Sequence, residues 1–131
     1  MIAGKVKWLG DEKFEASVEE GEKIIFGEKG ISPMRTLLLA VAGCTAIDVV
    51  MILQKMREPI EGLEVEIRGE RREEHPRIYK KVNIHYKIYG NVRPEKAKRA
   101  IELSQNKYCS ASAHLKLSGT EVTYTFEVIN E

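Results

Sequence analysis

The sequence contains only two cysteines, Cys44 and Cys109, in 131 residues. That is too few for a disulfide scaffold. There is no C-x2-C and no H-x3–5-H pair, the spacings most structural zinc sites use, so no metal is expected. There is no Gly-rich phosphate loop and no G-x-S-x-G elbow, which removes the commonest nucleotide-binding and serine-hydrolase signatures. Neither sign of charge is in excess. The 21 basic and 20 acidic residues leave a net charge of +1, which is no footprint for nucleic acid. Glutamine is scarce while Lys and Glu abound, a mixture that leans toward a thermophile. The opening Met1-Ile2-Ala3-Gly4 lacks the charged start and long apolar stretch of a signal peptide. A cytoplasmic location is therefore expected. In a reducing compartment a cysteine pair is more often catalytic, metal-binding or merely buried than a permanent bridge.

What is present fits one domain, residues 1–131, large enough to bury a core without staples. The N-terminal third alternates as strands do. Val6 and Trp8 sit between lysines, and Phe14, Ala16 and Val18 alternate with polar neighbours. Ile24-Ile25-Phe26 is a short third strand, making a meander. Ser32 then offers an N-cap and Pro33 a first helical residue. From Leu37 to Leu53 every residue is apolar or small except Thr45 and Asp48. A helix apolar all round is buried on every side, and Asp48 interrupts it too much for a confident membrane span. One sheet covers one side of such a helix, so a second subunit is expected on the other.

Two long alternating strands follow. Leu63, Val65 and Ile67 belong to one, and Val82, Ile84, Tyr86 and Ile88 to the other, with one wet face. Pro94 opens a second helix in which Ala97, Ala100, Ile101 and Ser104 share a face, and Asn106-Lys107 should break it. Cys109 to Leu115 reads as a short helical piece. Val122, Tyr124, Phe126 and Val128 form a last strand. The order βββ-α-ββ-α-α-β is that of an α+β fold.

Cys44 sits mid-helix among Ala40, Val41, Ile47 and Met51 by spacing. A free cysteine in such surroundings usually behaves as a small hydrophobe. Asp48, one turn ahead, would raise a thiol pKa if ionised, or could orient a cation near the sulfur. Cys109 opens a helix, where backbone N–H groups favour a thiolate, and Lys107 adds positive charge nearby. It too could be a plain core residue. Two cysteines with His114 are a conceivable zinc set without the usual spacing. Ser110 and Ser112 near His114 lack an evident third partner for hydrolysis.

The segment Ser32-Pro33-Met34-Arg35 through Ala42-Gly43-Cys44-Thr45-Ala46-Ile47-Asp48 resembles the first cysteine helix of the OsmC/Ohr family. Lys107-Tyr108-Cys109-Ser110-Ala111-Ser112-Ala113 resembles its second cysteine motif, and the element order agrees over the whole chain. The short OsmC-like branch is the nearer of the two. The resemblance implies an intertwined homodimer in which antiparallel sheets wrap long central apolar helices. It implies a thiol-dependent peroxidase acting on organic hydroperoxides in oxidative-stress defence, without a cofactor. The position of Cys44 matches the reactive cysteine, and that of Cys109 the one that resolves its sulfenic acid into a disulfide. An external dithiol, such as a lipoyl group, would restore the pair. In the best-studied branch an Arg from the N-terminal strands and a Glu soon after the helix-start proline hold the thiolate. Here no Arg precedes Arg35, and Met34 takes the Glu position. The candidate cations are Arg35, about 13 Å along a continuous helix from Cys44, and a lysine such as Lys5 or Lys7. The competing expectation is a dimeric OsmC-like binding or scaffold protein with inert cysteines, or a thiol redox sensor.

Overall fold

The computed structural model describes residues 2–18, 21–28 and 30–131. They fall into two compact units, Met1–Leu37 and Leu38–Glu131. The first is an antiparallel meander of β1 (Gly4–Trp8), β2 (Lys13–Val18) and β3 (Lys23–Gly27). Register sets two cross-strand rows, Val6–Ala16–Ile24 and Trp8–Phe14–Phe26. Because side chains alternate, both rows lie on one face. Val6, Trp8, Phe14 and Ile24 nevertheless remain exposed within the chain.

Helix α1 (Pro33–Lys55) begins as the sequence indicates. The Arg35 backbone N–H donates to Ser32 Oγ at 3.2 Å, and Pro33 takes the position where a missing donor is harmless. The helix ends without a glycine. Arg57 adopts the left-handed conformation, φ 61°. The Glu58 N–H then reaches the Leu53 carbonyl at 2.9 Å, and the Arg57 N–H the Gln54 carbonyl at 3.0 Å. This pair of bonds satisfies the last orphan carbonyls of the helix. By length and composition alone α1 could cross a membrane. Its fold context is a core, since Val41, Ala42, Thr45, Val49 and Leu53 form a buried stripe at helical spacing.

The second unit adds a sheet in the order β4 (Ile60–Arg71), β5 (Tyr79–Gly90), β6 (Glu121–Ile129). β4 and β5 form the expected antiparallel hairpin. β6 runs parallel to β5, which corrects the expectation of purely antiparallel sheets. The reason is the crossover. α2 (Pro94–Leu103), a π-helical turn (Ser104–Tyr108) and α3 (Ser110–Leu117) carry the chain from β5 to β6, and a connection of that length suits a parallel neighbour. The inner face is built from rows such as Val65–Tyr86–Phe126 and Ile67–Ile84–Tyr124. Val82, Ile84, Tyr86 and Ile88 are buried there, together with Ala97, Ala100 and Ile101 from α2. The opposite face carries Lys81, Asn83, His85 and Lys87, so it is the wet one the alternation indicates.

The expected all-round burial of α1 is half met within one chain. Leu39, Ile47 and Met51 remain 55%, 63% and 53% exposed. Val49, by contrast, is wholly buried. A Val49→Asp chain would bury an unpaired carboxylate, which costs several kcal/mol against a total stability of about 5–15 kcal/mol. It should show no cooperative unfolding transition by circular dichroism.

The turn after α1 is fixed by Glu58. Its buried carboxylate accepts from the Arg93 backbone N–H at 2.9 Å and from the Arg93 guanidinium at 2.8 to 3.3 Å, which anchors the start of α2. Hydrogen bonding from Arg93 holds the Glu58 carboxyl below its ordinary value of 4.5. A depressed folded-state value contributes stability above the unfolded value, and that stability is lost as pH falls through the folded one. Glu58→Gln should therefore be less stable at neutral pH. It should also lose part of the acid-side slope of the urea midpoint below pH about 4.5.

Candidate active site

Two segments far apart in sequence meet in the second unit. Cys44 and Asp48 lie one turn apart on α1 and so share a face. Cys109 is the N-cap of α3. The Cys44 sulfur, an Asp48 carboxylate oxygen and the Cys109 sulfur all lie within 4.8 Å of one another. The thiols are unbridged. Cys109 is 3% exposed, whereas Cys44 is only half-buried.

The π-helical turn creates this meeting. Its wider loop lets the Cys109 N–H reach the Ser104 carbonyl at 2.7 Å, an insertion of the sort that recurs at functional sites. The Ser104 hydroxyl meanwhile donates to Asp48 Oδ2 at 2.9 Å. Ser104 thus ties the second cysteine and the carboxylate to one residue. The sequence suggests a break at Asn106-Lys107. The helical path instead widens and continues to Tyr108.

Behind the cluster runs a buried chain of hydroxyls whose directions can be assigned by counting protons. Ser104 has one hydroxyl proton, spent on Asp48. In its 2.7 Å bond with Thr45, Ser104 must therefore accept, so Thr45 donates. Thr45 then has no proton left for Tyr86, so Tyr86 donates across their 2.7 Å contact. The Gln105 amide supplies N–H bonds to Thr45 at 3.1 Å and Tyr86 at 3.2 Å. Every donor points toward Asp48: Tyr86 to Thr45, Thr45 to Ser104, Ser104 to the carboxylate. Burial pushes the Tyr86 phenol up to about 12, partly offset by its bonds with Thr45 and Gln105. It therefore remains a donor throughout the physiological range. Among the described residues, the Gln105 side-chain oxygen is the one buried side-chain polar atom without a partner.

Cys109 departs from the expectation that its helix terminus favours a thiolate. Burial pushes its thiol up, hydrogen bonding with Ser112 pulls partly back, and Cys44 beside it pushes further the same way. The thiol donates to Ser112 Oγ at 3.1 Å and accepts the Ser112 N–H at 3.5 Å. Lys107 places its ammonium over the Tyr108 ring, 5.2 Å from the centroid. Arg35 is in the first turn of α1, nine residues before Cys44 on an unbroken helix. Within one chain that rise of about 13 Å keeps it from the sulfur. Lys5 lies in β1, on the face opposite Val6, and Lys7 on the same polar face. Two of the three histidines are engaged elsewhere. His114 Nδ1–H donates to the Ser110 carbonyl at 2.8 Å, and His85 pairs with Thr125 and Glu127. Beside Asp48 opens a cavity of about 360 Å³ lined also by Met51, Ile52, Lys55, Met56, Leu103 and Tyr108.

The hydroxyl chain is what sequence reading missed, though a signal existed. Thr45 and Asp48 are the two polar residues in the apolar run of α1. Ser104, just past the end of α2, is the polar member that continues its apolar face. Polar residues on faces that must be buried need partners, and these are one another's.

The sequence profile of the OsmC-like protein family matches residues 26–125. The chain belongs to this family. Protein YhfA of Escherichia coli K12 is 38% identical over 133 aligned positions, covering 98% of both chains. A hypothetical protein from Aquifex aeolicus VF5 superposes with a TM-score of 0.93 at 34% identity, covering 100% of this chain and 98% of that one. The OsmC-like protein of Mycoplasma pneumoniae gives 0.84 at 17% identity over 98% and 96%. An organic hydroperoxide resistance protein, OsmC, from Legionella pneumophila shares the fold, with a TM-score of 0.75 at 13% identity over 97% and 96%.

Thr45→Val removes the middle of the donor chain and strands its neighbours. It should lower stability by about 1–3 kcal/mol, read from the urea midpoint. Tyr86→Phe tests the phenol separately. A raised folded-state value gives stability that is present below the unfolded value near 10 and lost as pH rises through the folded value near 12. The alkaline loss of stability in that window should be smaller in Tyr86→Phe than in the unmodified protein.

Proposed function

We propose that this protein is a thiol peroxidase that reduces organic hydroperoxides, with Cys44 attacking and Cys109 resolving. The observation that carries the reading is the pairing of two free sulfurs within 4.8 Å, one half-buried and one almost sealed. The more accessible sulfur can meet a peroxide. The sealed one is protected from direct attack and placed to react with its neighbour. The apolar cavity beside Asp48 suits an alkyl group better than a small hydrophilic peroxide.

The Cys44 thiolate attacks the distal peroxide oxygen, the O–O bond breaks, and an alcohol leaves with a proton from solvent. Cys44 becomes a sulfenic acid. The Cys109 thiol then displaces hydroxide from it, forming the disulfide and water. An external dithiol, of the lipoyl class, reduces the bridge by two exchange steps and is itself oxidised to a disulfide. Burial of Cys109 keeps it protonated until the sulfenic acid forms, which suits a resolving rather than an attacking role.

The reading includes a homodimer. The apolar face of β1–β3 and the exposed Leu39, Ile47 and Met51 of α1 are surfaces a second copy would cover. In this reading the cation that activates Cys44 comes from Arg35 of a second copy of the chain or from a lysine such as Lys5 or Lys7.

Mass spectrometry after one equivalent of cumene hydroperoxide tests the chemistry. The unmodified protein should form an intramolecular disulfide. Cys109→Ser should stop with one added oxygen on Cys44, and Cys44→Ser should lose peroxide reduction altogether. Arg35→Met should slow the first step while leaving the urea midpoint nearly unchanged. Oxygen on Cys109 would reverse the assignment, and no oxidation at either sulfur would favour a binding or scaffold role. Assembly is tested by sedimentation at low micromolar concentration. The unmodified protein should be a dimer, and Ile47→Asp a folded monomer. A folded monomer of the unmodified chain would rule the dimer out.

A further inference from the structure

We propose that the reduced Cys44–Asp48–Cys109 triplet also binds one thiophilic divalent cation of the zinc class. This needs only the reduced sulfurs and does not rest on the peroxidase reading. Two thiols and a carboxylate converge within 4.8 Å, and those are zinc ligands by type. Among the described residues Asp48 has no ion pair with a basic side chain. As anions, three such donors repel one another unless a cation sits among them.

The geometry is close to what tetrahedral zinc requires. Bonds of about 2.3 Å to sulfur place two thiolates roughly 3.8 Å apart. Sulfurs within 4.8 Å of each other need to close by at most about 1 Å, within the reach of side-chain torsions. Cys44 and Asp48 are held on one rigid face, one helical turn apart. Cys109 meets them from the N-cap of α3, just after the π-helical turn.

The surroundings of the triplet are those of ligands held in place. Ser104 occupies one Asp48 oxygen, leaving the other for the metal. The Ser112 N–H donates to the Cys109 sulfur, a bond that a thiolate strengthens. Groups bonded to the ligands in this way fix their orientation and tune affinity. The cavity lined by Asp48 brings open space to the carboxylate side of the triplet. Three protein ligands leave a fourth position to water or a small ligand. On binding, the two thiols release their protons to solvent and nothing is oxidised. A disulfide between the same sulfurs would remove two of the three donors, so the bridged form cannot hold the cation.

Cobalt(II) is the probe, added anaerobically to the full chain after reduction. The expected result is a near-ultraviolet sulfur-to-cobalt charge-transfer band that saturates at one cobalt per chain and is displaced by zinc. Cys44→Ser should abolish the band. Asp48→Asn should keep a sulfur band with a shifted visible spectrum. Ser104→Ala should weaken binding roughly tenfold or more through the carboxylate it positions. The unmodified protein oxidised with diamide should bind no cobalt, a comparison that needs no variant to fold. Absence of the band in the reduced protein would overturn the proposal, and so would a band that survives Cys44→Ser or oxidation. Cobalt binding by a protein inert to cumene hydroperoxide would sustain the metal site while the peroxidase reading fails.

Discussion

Ser104 is the residue on which the site depends. Its carbonyl holds the Cys109 N–H, and its hydroxyl holds Asp48 while accepting from Thr45. Through it one residue joins the crossover segment to α1. Without the π-helical turn, Ser104 and Cys109 would continue an ordinary helical path, and the wider N–H···O=C bond between them would not form. The spacing of the sulfurs is therefore a property of backbone geometry as much as of side-chain packing.

Burial then divides the labour among the polar groups. Tyr86 is kept protonated by its apolar surroundings and stands at the donating end of the hydroxyl chain. Asp48 stands at the accepting end. A chain with one direction is more selective than the same contacts with free rotors, because reversing any hydroxyl leaves two donors facing each other. In a weakly polarisable interior such a mismatch is expensive. Asp48 is consequently held toward the sulfurs by a network that has one fully consistent arrangement.

Much of this architecture was legible in the residues themselves. The cap and proline at Ser32-Pro33, the alternation in β4 and β5, and the apolar run of α1 each follow from local periodicity, and each recurs in the structure. The two cysteine segments identify the family. Three features were not legible. The parallel pairing of β6 depends on how a long crossover returns, which no local pattern encodes. The π-helical turn looks like a helix end, because Asn106 and Lys107 are poor at telling termination from widening. The raised Cys109 thiol reflects depth of burial, a tertiary quantity that competes with the local helix-terminus effect and here exceeds it.

The placement of the cysteines on either side of most of the second unit links their oxidation state to the folding equilibrium. They are roughly 65 residues apart in sequence, and the chain between them forms β4, β5 and α2. Bridging the ends of a segment that long removes on the order of 4 kcal/mol of unfolded-chain entropy in the loop-closure description. A bridge made without strain would make the bridged molecule the more heat-resistant form. By the same cycle, the folded protein would hold its bridge against reductants more strongly than the unfolded chain does. A reductant of such a bridge would then work against the native fold itself and would need a correspondingly low potential.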